Sequence, residues 1–103
     1  MEKKEVRITV KYYGLARTLA GVSEEEIVIS GRGFLVKDLL ELLMERHDET
    51  FRNYLKTPYG EFSPDVFVFL DGVDIRKLEG YNTPIDHVNT IHLLGIVSGI
   101  GGG

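Results

Sequence analysis

The chain has 103 residues, of which 43% are hydrophobic, which suits one compact domain and is too short for two independent cores. Its 16 acidic and 12 basic residues give a formal net charge of -4, which argues against a domain that binds nucleic acid through bulk positive charge. The absence of cysteine excludes disulfides, zinc–thiolate sites and side-chain thioesters, and favours a cytoplasmic protein. The alternating pattern that follows the charged start predicts neither a signal peptide nor a membrane span.

Two strands and one helix are predicted in the first half of the chain. Apolar and polar residues alternate over residues 6–12, which is the period of a half-buried strand, and residues 14–21 interrupt the pattern. The alternation returns over residues 26–30 and predicts a second strand, antiparallel to the first. Apolar residues then recur at i, i+3, i+4 and i+7, which predicts an amphipathic helix over residues 35–46, with Gly33 as a moderate cap.

The second half of the chain contains a hairpin signal. After a short helical piece at residues 48–55, a strand is predicted at Val66–Leu70 and a return strand at residues 73–75. Asp71-Gly72 between them is a strong two-residue turn signal. The alternation divides the first hairpin strand into two faces, Val66, Val68 and Leu70 against Phe67 and Phe69. One face belongs to the core, and the other is a candidate contact surface.

A last strand is predicted at residues 90–96, with Leu94 and Ile96 on the face away from the core. The order strand, strand, helix, hairpin, strand predicts an α+β fold of the β-grasp type, a mixed sheet with one main helix packed across it, although ferredoxin-like arrangements compete. We predict a β-grasp domain at residues 1–97 and a flexible, glycine-rich tail at residues 98–103.

Several stretches, taken in order, resemble one family. Residues 10–17, with the sequence VKYYGLAR, resemble the first strand and loop of MoaD, the small subunit of molybdopterin synthase. Residues 70–76 and the loop that continues to Ile85 are similar to the hairpin and loop of archaeal MoaD-like proteins and small archaeal modifier proteins. The glycine-terminated end resembles the tail of ThiS and ubiquitin. The resemblance implies a ubiquitin-like fold with a C-terminal glycine that another enzyme activates.

The resemblance implies that the reactive group is the carboxylate of Gly103. A partner enzyme would adenylate it, and the adenylate would then become a thiocarboxylate or form an isopeptide bond with a lysine. Gly101 and Gly102 suit this role because a residue without Cβ passes through a narrow channel, and six extended residues from Ser98 reach roughly 20 Å. No nucleophile or metal constellation stands out, and His87 and His92 offer no convergent ligand set. We therefore expect no independent catalytic activity, no metal and no bound cofactor, with ATP used by the partner.

The partners implied by the resemblance are an adenylating enzyme of the MoeB-like, ubiquitin-activating type and a MoaE-like large subunit of molybdopterin synthase. Lysines of target proteins are a further candidate acceptor, whereas nucleic acid and membrane are not expected. We predict that a partner contacts three residues around the start of the tail: Leu94 and Ile96 in the strand that leads to it, and Ser98 at its first position.

The sequence leaves open which acceptor the activated C-terminus serves. Gly95-Ile96 stand where the family usually carries a proline pair. Aligned from the strand, Gly99 falls on the first of the family's two terminal glycines, whereas aligned from the end the pair is Gly102-Gly103. Sulfur donation to molybdopterin or tungstopterin is the preferred hypothesis. Conjugation to lysines, sulfur delivery to tRNA thiolation or thiamine synthesis, and a docking module without terminal chemistry are the alternatives.

Overall fold

The computed structural model describes residues 5–30 and 33–85, and the backbone of residues 90–95. Within these ranges the strands are β1 (Glu5–Gly14), β2 (Glu24–Ser30), β3 (Val66–Leu70), β4 (Val73–Asp74) and β5 (Thr90–Gly95). The α-helices are α1 (Leu15–Ala20), α2 (Val36–Arg46) and α3 (Glu49–Leu55). Two short 3₁₀ turns, Ile75–Lys77 and Gly80–Asn82, follow β4.

The described strands form one mixed sheet in the order β2-β1-β5-β3-β4. β1 pairs antiparallel with β2 and parallel with β5, and β5 pairs antiparallel with β3. A parallel pair cannot be joined by a tight turn, so the chain must cross over the sheet between β1 and β5, and α2 belongs to that crossing segment. This arrangement confirms the predicted α+β architecture of the β-grasp type.

The core lies between one face of the sheet and the apolar side of α2. The residues that α2 buries have the predicted spacing, and they are Val36, Leu39, Leu40 and Leu43. From the sheet, the buried set includes Ile8, Val10, Ile27, Val66, Val68 and Leu70. Each fully buried aliphatic side chain contributes about 1.5–3 kcal/mol relative to an exposed one. Of the two predicted faces of β3, Val66, Val68 and Leu70 are the core set, and Phe67 and Phe69 are half-buried on the outer face.

The interruption predicted at residues 14–21 contains a helix, α1, that was not predicted. Glycines with positive φ flank it, Gly14 at 57° and Gly21 at 79°. Gly21 ends the helix in the left-handed conformation, where its N–H donates to the Arg17 carbonyl at 3.0 Å. Ala16 is fully buried, so α1 closes one end of the core.

Three boundaries differ from the predicted ones because local hydrogen bonds set them. β2 begins two residues earlier than predicted, at Glu24, which pairs with Lys11. α2 has Leu35 rather than Gly33 as its N-cap, and the Asp38 carboxylate accepts from the Leu35 N–H at 2.9 Å. The return strand β4 is shorter than predicted, since the chain enters a 3₁₀ turn at Ile75.

Candidate functional site: the outer sheet face and the root of the tail

The strand that leads to the tail has a partner on each side. In β5, Gly95 pairs with Gly14 of β1 and with Val66 of β3. The last described residue before the tail is therefore fixed by two neighbouring strands, and we call this point the tail root. The predicted residues Ile96, Ser98, Gly101, Gly102 and Gly103 lie outside the described residues, so their roles stay predictions.

The outer face of the sheet carries aromatic residues beside the tail root. Leu94, a predicted partner-binding residue, pairs in register with Tyr13 of β1 and Phe67 of β3. Tyr13 is 38% exposed, and Phe67 and Phe69 are half-buried. The register thus places Leu94 between two outward-facing aromatic residues. An apolar strip with partly exposed rings next to the tail root is a candidate surface for a protein partner.

An arginine covers one of these rings. The Arg76 guanidinium carbon lies 3.9 Å from the centroid of the Phe67 ring, and its Nη2 donates to the Pro64 carbonyl at 3.2 Å. The backbone N–H of Arg76 donates to the Asp74 carboxylate at 2.9 Å. No pattern in the sequence indicates this contact, because the arginine lies nine positions beyond the ring, past a turn.

A polar cluster on the inner side of the sheet was also missed. The Tyr12 hydroxyl donates to Glu25 Oε2, and His47 Nε2 lies 2.6 Å from the same oxygen. Arg46 Nε lies 3.2 Å from Glu25 Oε1. Since Glu25 stands at a core-facing position of β2, the only sequence signal was a charged residue on the apolar side of an alternating strand.

The pKa values in this cluster follow from burial and hydrogen bonding. Burial opposes the charge of Glu25, but the hydrogen bonds from Tyr12 and His47 outweigh it and lower the pKa of the carboxyl group. Burial, followed by the hydrogen bond to Glu25, raises the pKa of Tyr12 far above its usual value. These groups are engaged with one another, so the cluster links β1, β2 and the end of α2 and is not an open catalytic site.

The cleft between α2 and α3 offers no catalytic constellation either. It has a volume of about 350 Å³, and its lining includes Glu41, Met44, Arg52 and Lys56. Lys56 Nζ lies 2.6 Å from Glu41 Oε2, and Arg52 donates to the carbonyls of Met44 and His47. Lys56, Glu41 and Arg52 are thus engaged within the wall of the cleft.

Within 5–30 and 33–85, no group of three or more His, Cys, Asp or Glu side chains converges as metal ligands would. In the described part of the chain, no helix is long and apolar enough to cross a membrane.

The fold and the central strand that leads to the tail define a class, the ubiquitin-like sulfur carriers and modifiers. The ThiS family matches residues 10–99, and the chain belongs to that family. No curated protein matches the chain.

Solved structures agree with the fold. The small archaeal modifier protein SAMP1 from Haloferax volcanii is 18% identical, with a TM-score of 0.77 over 92% of this chain and 100% of that one. A putative molybdopterin converting factor subunit 1 from Pyrococcus furiosus is 26% identical, with a TM-score of 0.65 over 89% and 99%. The BexX/CysO complex from Amycolatopsis orientalis contains a chain that is 20% identical, with a TM-score of 0.64 over 90% and 99%. The resemblance stated from the sequence is thereby confirmed at the level of the family.

Proposed function

We propose that this chain is a sulfur carrier whose Gly103 carboxylate is adenylated by a partner enzyme and converted to a thiocarboxylate that donates sulfur to molybdopterin or tungstopterin. The observation that carries the proposal is the placement of Gly95 at the end of a strand held on both sides, in a chain of the ThiS family. Eight residues follow Gly95, and if extended they reach roughly 26–29 Å. A body of this kind can dock on a partner surface while its terminus enters a distant active site.

The chemistry belongs to the terminus and the partner. A carboxylate oxygen of Gly103 attacks the α-phosphate of ATP in the adenylating enzyme, and pyrophosphate leaves. Sulfide from a sulfur donor then attacks the acyl carbon, the bond to AMP breaks and AMP leaves, and the terminus becomes a thiocarboxylate. Glycine leaves this carbon unhindered, since it has no Cβ. Ordering the tail costs conformational entropy, so the outer sheet face must supply docking affinity.

The test is pyrophosphate exchange with ATP and the adenylating enzyme of the same organism, followed by the intact mass of the product. Wild-type chain should support exchange and, with a sulfur donor, gain the mass of an oxygen-to-sulfur replacement. Deletion of Gly102 and Gly103 should abolish both without changing the thermal unfolding midpoint. Undiminished exchange by the deleted chain would contradict the assignment of the reactive carboxylate to Gly103.

Conjugation to lysines is a second candidate, favoured by the segment Gly95-Ile96. The proline pair that usually follows the last strand, and that would restrict how the tail enters a synthase subunit, is replaced here by Gly95-Ile96. The tagged chain should be recovered from its native cells and its partners analysed by mass spectrometry. Gly-Gly remnants on lysines that vanish when Gly103 is deleted support conjugation. A chain that keeps all its partners after amidation of Gly103 would instead be a docking module.

A further inference from the structure

Arg76 is fixed in place although it is an exposed side chain. Its guanidinium lies on the Phe67 ring at 3.9 Å, one of its N–H groups donates to the Pro64 carbonyl, and its backbone is anchored on Asp74. A surface arginine usually samples many rotamers and loses that freedom when it binds. Here the folded chain has already imposed much of the restriction, so a partner group that binds this arginine meets a pre-organised cation.

The guanidinium is engaged at one face and one N–H but keeps further donors. It carries five N–H groups in a rigid plane, a geometry that matches a carboxylate bidentately. Among residues 5–30 and 33–85, no carboxylate forms an ion pair with it. The in-plane edge that Pro64 does not occupy is therefore available to an acidic group from another molecule.

The location connects this arginine to the tail. Phe67, the ring beneath it, pairs in register with Leu94, and the preceding Val66 pairs with Gly95 at the tail root. A partner that binds the tail must approach this end of the sheet. It will therefore cover the Phe67 ring and the Arg76 side chain that lies on that ring. The chain as a whole carries a formal net charge of -4, so an acidic partner surface is attracted only at such local cations.

We propose that Arg76 is a partner-recognition residue that receives an Asp or Glu carboxylate of the adenylating enzyme when that enzyme binds the tail. The inference rests on the proposed function and names the chemistry of the surface that docks there. The apolar strip supplies buried area, and the arginine fixes orientation, since a bidentate contact specifies direction as well as charge. Arg76 acts on docking and takes no part in the reaction at Gly103.

The experiment compares Arg76→Met, Arg76→Lys and Lys77→Met in the full chain. Methionine keeps an unbranched stem over Phe67 but removes the charge and the donors. Lys77 is the adjacent exposed cation, so Lys77→Met makes the same change in net charge one residue away. Binding to the adenylating enzyme is measured by surface plasmon resonance at low and high salt, and pyrophosphate exchange gives KM for the chain and kcat. Thermal unfolding reports whether each variant is folded.

Arg76→Met should weaken binding about tenfold relative to Lys77→Met, by raising KM and leaving kcat unchanged, as expected for a lost charge-assisted contact. Arg76→Lys should recover part of the loss, because it restores the charge without the planar fork. The difference should shrink at high salt. Arg76→Met within twofold of Lys77→Met, or a loss fully explained by a lower unfolding midpoint, would overturn the inference.

The two proposals fail in different ways. If the wild-type chain binds the enzyme in an Arg76-dependent manner but supports no pyrophosphate exchange, the docking inference holds and the proposed sulfur chemistry is wrong. If exchange occurs with the same KM for wild-type and Arg76→Met chains, and the product gains the mass of an oxygen-to-sulfur replacement, the sulfur chemistry holds and the docking inference is wrong. If the wild-type chain neither binds nor exchanges, both are wrong.

Discussion

His47 Nε2 lies 2.6 Å from Glu25 Oε2, and each of the two side chains is only 14% exposed. The same carboxylate accepts from Tyr12 and lies within ion-pair distance of Arg46. The aromatic ring of Phe51, from α3, packs against both Tyr12 and His47. One carboxylate therefore joins β1, β2 and the end of α2 beneath a ring from α3. A largely buried carboxylate with two hydrogen-bonding partners and one ion-pair partner stabilises the fold only while these partners are present.

The first prediction is that Glu25→Gln lowers the free energy of unfolding by about 1–3 kcal/mol, because the amide removes the negative charge that strengthens both hydrogen bonds and pairs with Arg46. Equilibrium urea unfolding measures the effect. Glu26→Gln is the matched control, since Glu26 is the next residue along β2 and lies on the outer face, with its side chain 56% exposed and paired with exposed Arg7. That control should change stability by less than about 0.5 kcal/mol. Equal midpoints for the two variants would contradict the structural role of Glu25.

The second prediction concerns the stability of the fold at acid pH. The pKa of Glu25 lies below its ordinary value of 4.5 in the folded chain, so between the two pKa values the unfolded state binds more protons. The resulting stability is fully present above pH 4.5 and is lost as the pH falls through the folded pKa. Glu25→Gln should therefore lose less stability than the wild-type chain between neutral pH and acid. Urea midpoints measured across that range test it, and parallel curves for the two proteins would refute it.

The third prediction contrasts two tyrosines. The Tyr12 hydroxyl donates to a carboxylate, so Tyr12→Phe should cost about 1–2 kcal/mol. The Tyr54 hydroxyl is buried and has no hydrogen-bond partner within the described structure, so Tyr54→Phe should be neutral or stabilising by up to about 1 kcal/mol. Both changes remove one oxygen from a ring that stays in place. Urea unfolding compares them directly, and an equal loss in both variants would mean that the two hydroxyls have equivalent surroundings.

The pH dependence of stability in alkali gives a further test at Tyr54. Burial, assisted by the negative charge of Asp65, raises the pKa of Tyr54 to about 12. A raised pKa gives stability that is present below pH 10.0, the ordinary value, and is lost as the pH rises through the folded value. Tyr54→Phe should therefore be less sensitive to alkali than the wild-type chain. Unfolding midpoints recorded above pH 10 measure this, and unchanged sensitivity would assign the alkaline loss to other groups.

Much of the fold was predictable because its signals are local. Strand alternation and the i, i+3, i+4, i+7 spacing of α2 each reflect which side of one element is buried. The helix α1 was missed because six residues between two glycines give too short a period to recognise. The order of elements predicted a mixed sheet of the β-grasp type but not the order of its strands, since the parallel pairing of β1 with β5 joins residues about 80 apart.

The site divides in the same way. The terminal glycines and Leu94 could be proposed from sequence, because tail composition and strand alternation are local features. Glu25 and His47 are 22 residues apart and meet only when the end of α2 returns to β2. The stacking of Arg76 on Phe67 requires the exact path of the chain after β4. Polar contacts between separate elements leave no period in a sequence, so only the folded chain reveals them.

The fourth prediction concerns the start of α3. The Asp48 carboxylate accepts from the Phe51 N–H at 3.1 Å and so satisfies one of the free donors of the first turn. Asp48→Ala should lower the free energy of unfolding by about 1 kcal/mol, whereas Asp48→Asn, which keeps the acceptor, should have little effect. Because Phe51 is fully buried, the loss should appear in the global unfolding transition. Equal stability of the two variants would show that the cap contributes nothing.

The last prediction concerns the partner that receives the sulfur, and it tests the outer face of the sheet as the surface that binds this partner. Leu94 stands in register between Tyr13 and Phe67, next to the tail root at Gly95. Ile96 directly follows Gly95 in the sequence. Leu94→Asp and Ile96→Asp should abolish complex formation with the large subunit of molybdopterin synthase, because a charge would be buried in an apolar contact. Complex formation is followed by size-exclusion chromatography, and far-UV circular dichroism confirms that each variant is folded.

Val28→Asp is the matched control for that experiment. Val28 is 45% exposed on the outer side of β2, at the opposite edge of the sheet from β3, so it introduces the same charge into the same face away from the aromatic strip. It should bind the large subunit as the wild-type chain does, since an exposed substitution outside the contact costs little. Binding by Leu94→Asp at wild-type strength would remove this face from the interface. Loss of binding by Val28→Asp as well would mean that the contact extends across the whole sheet and is not centred on the tail root.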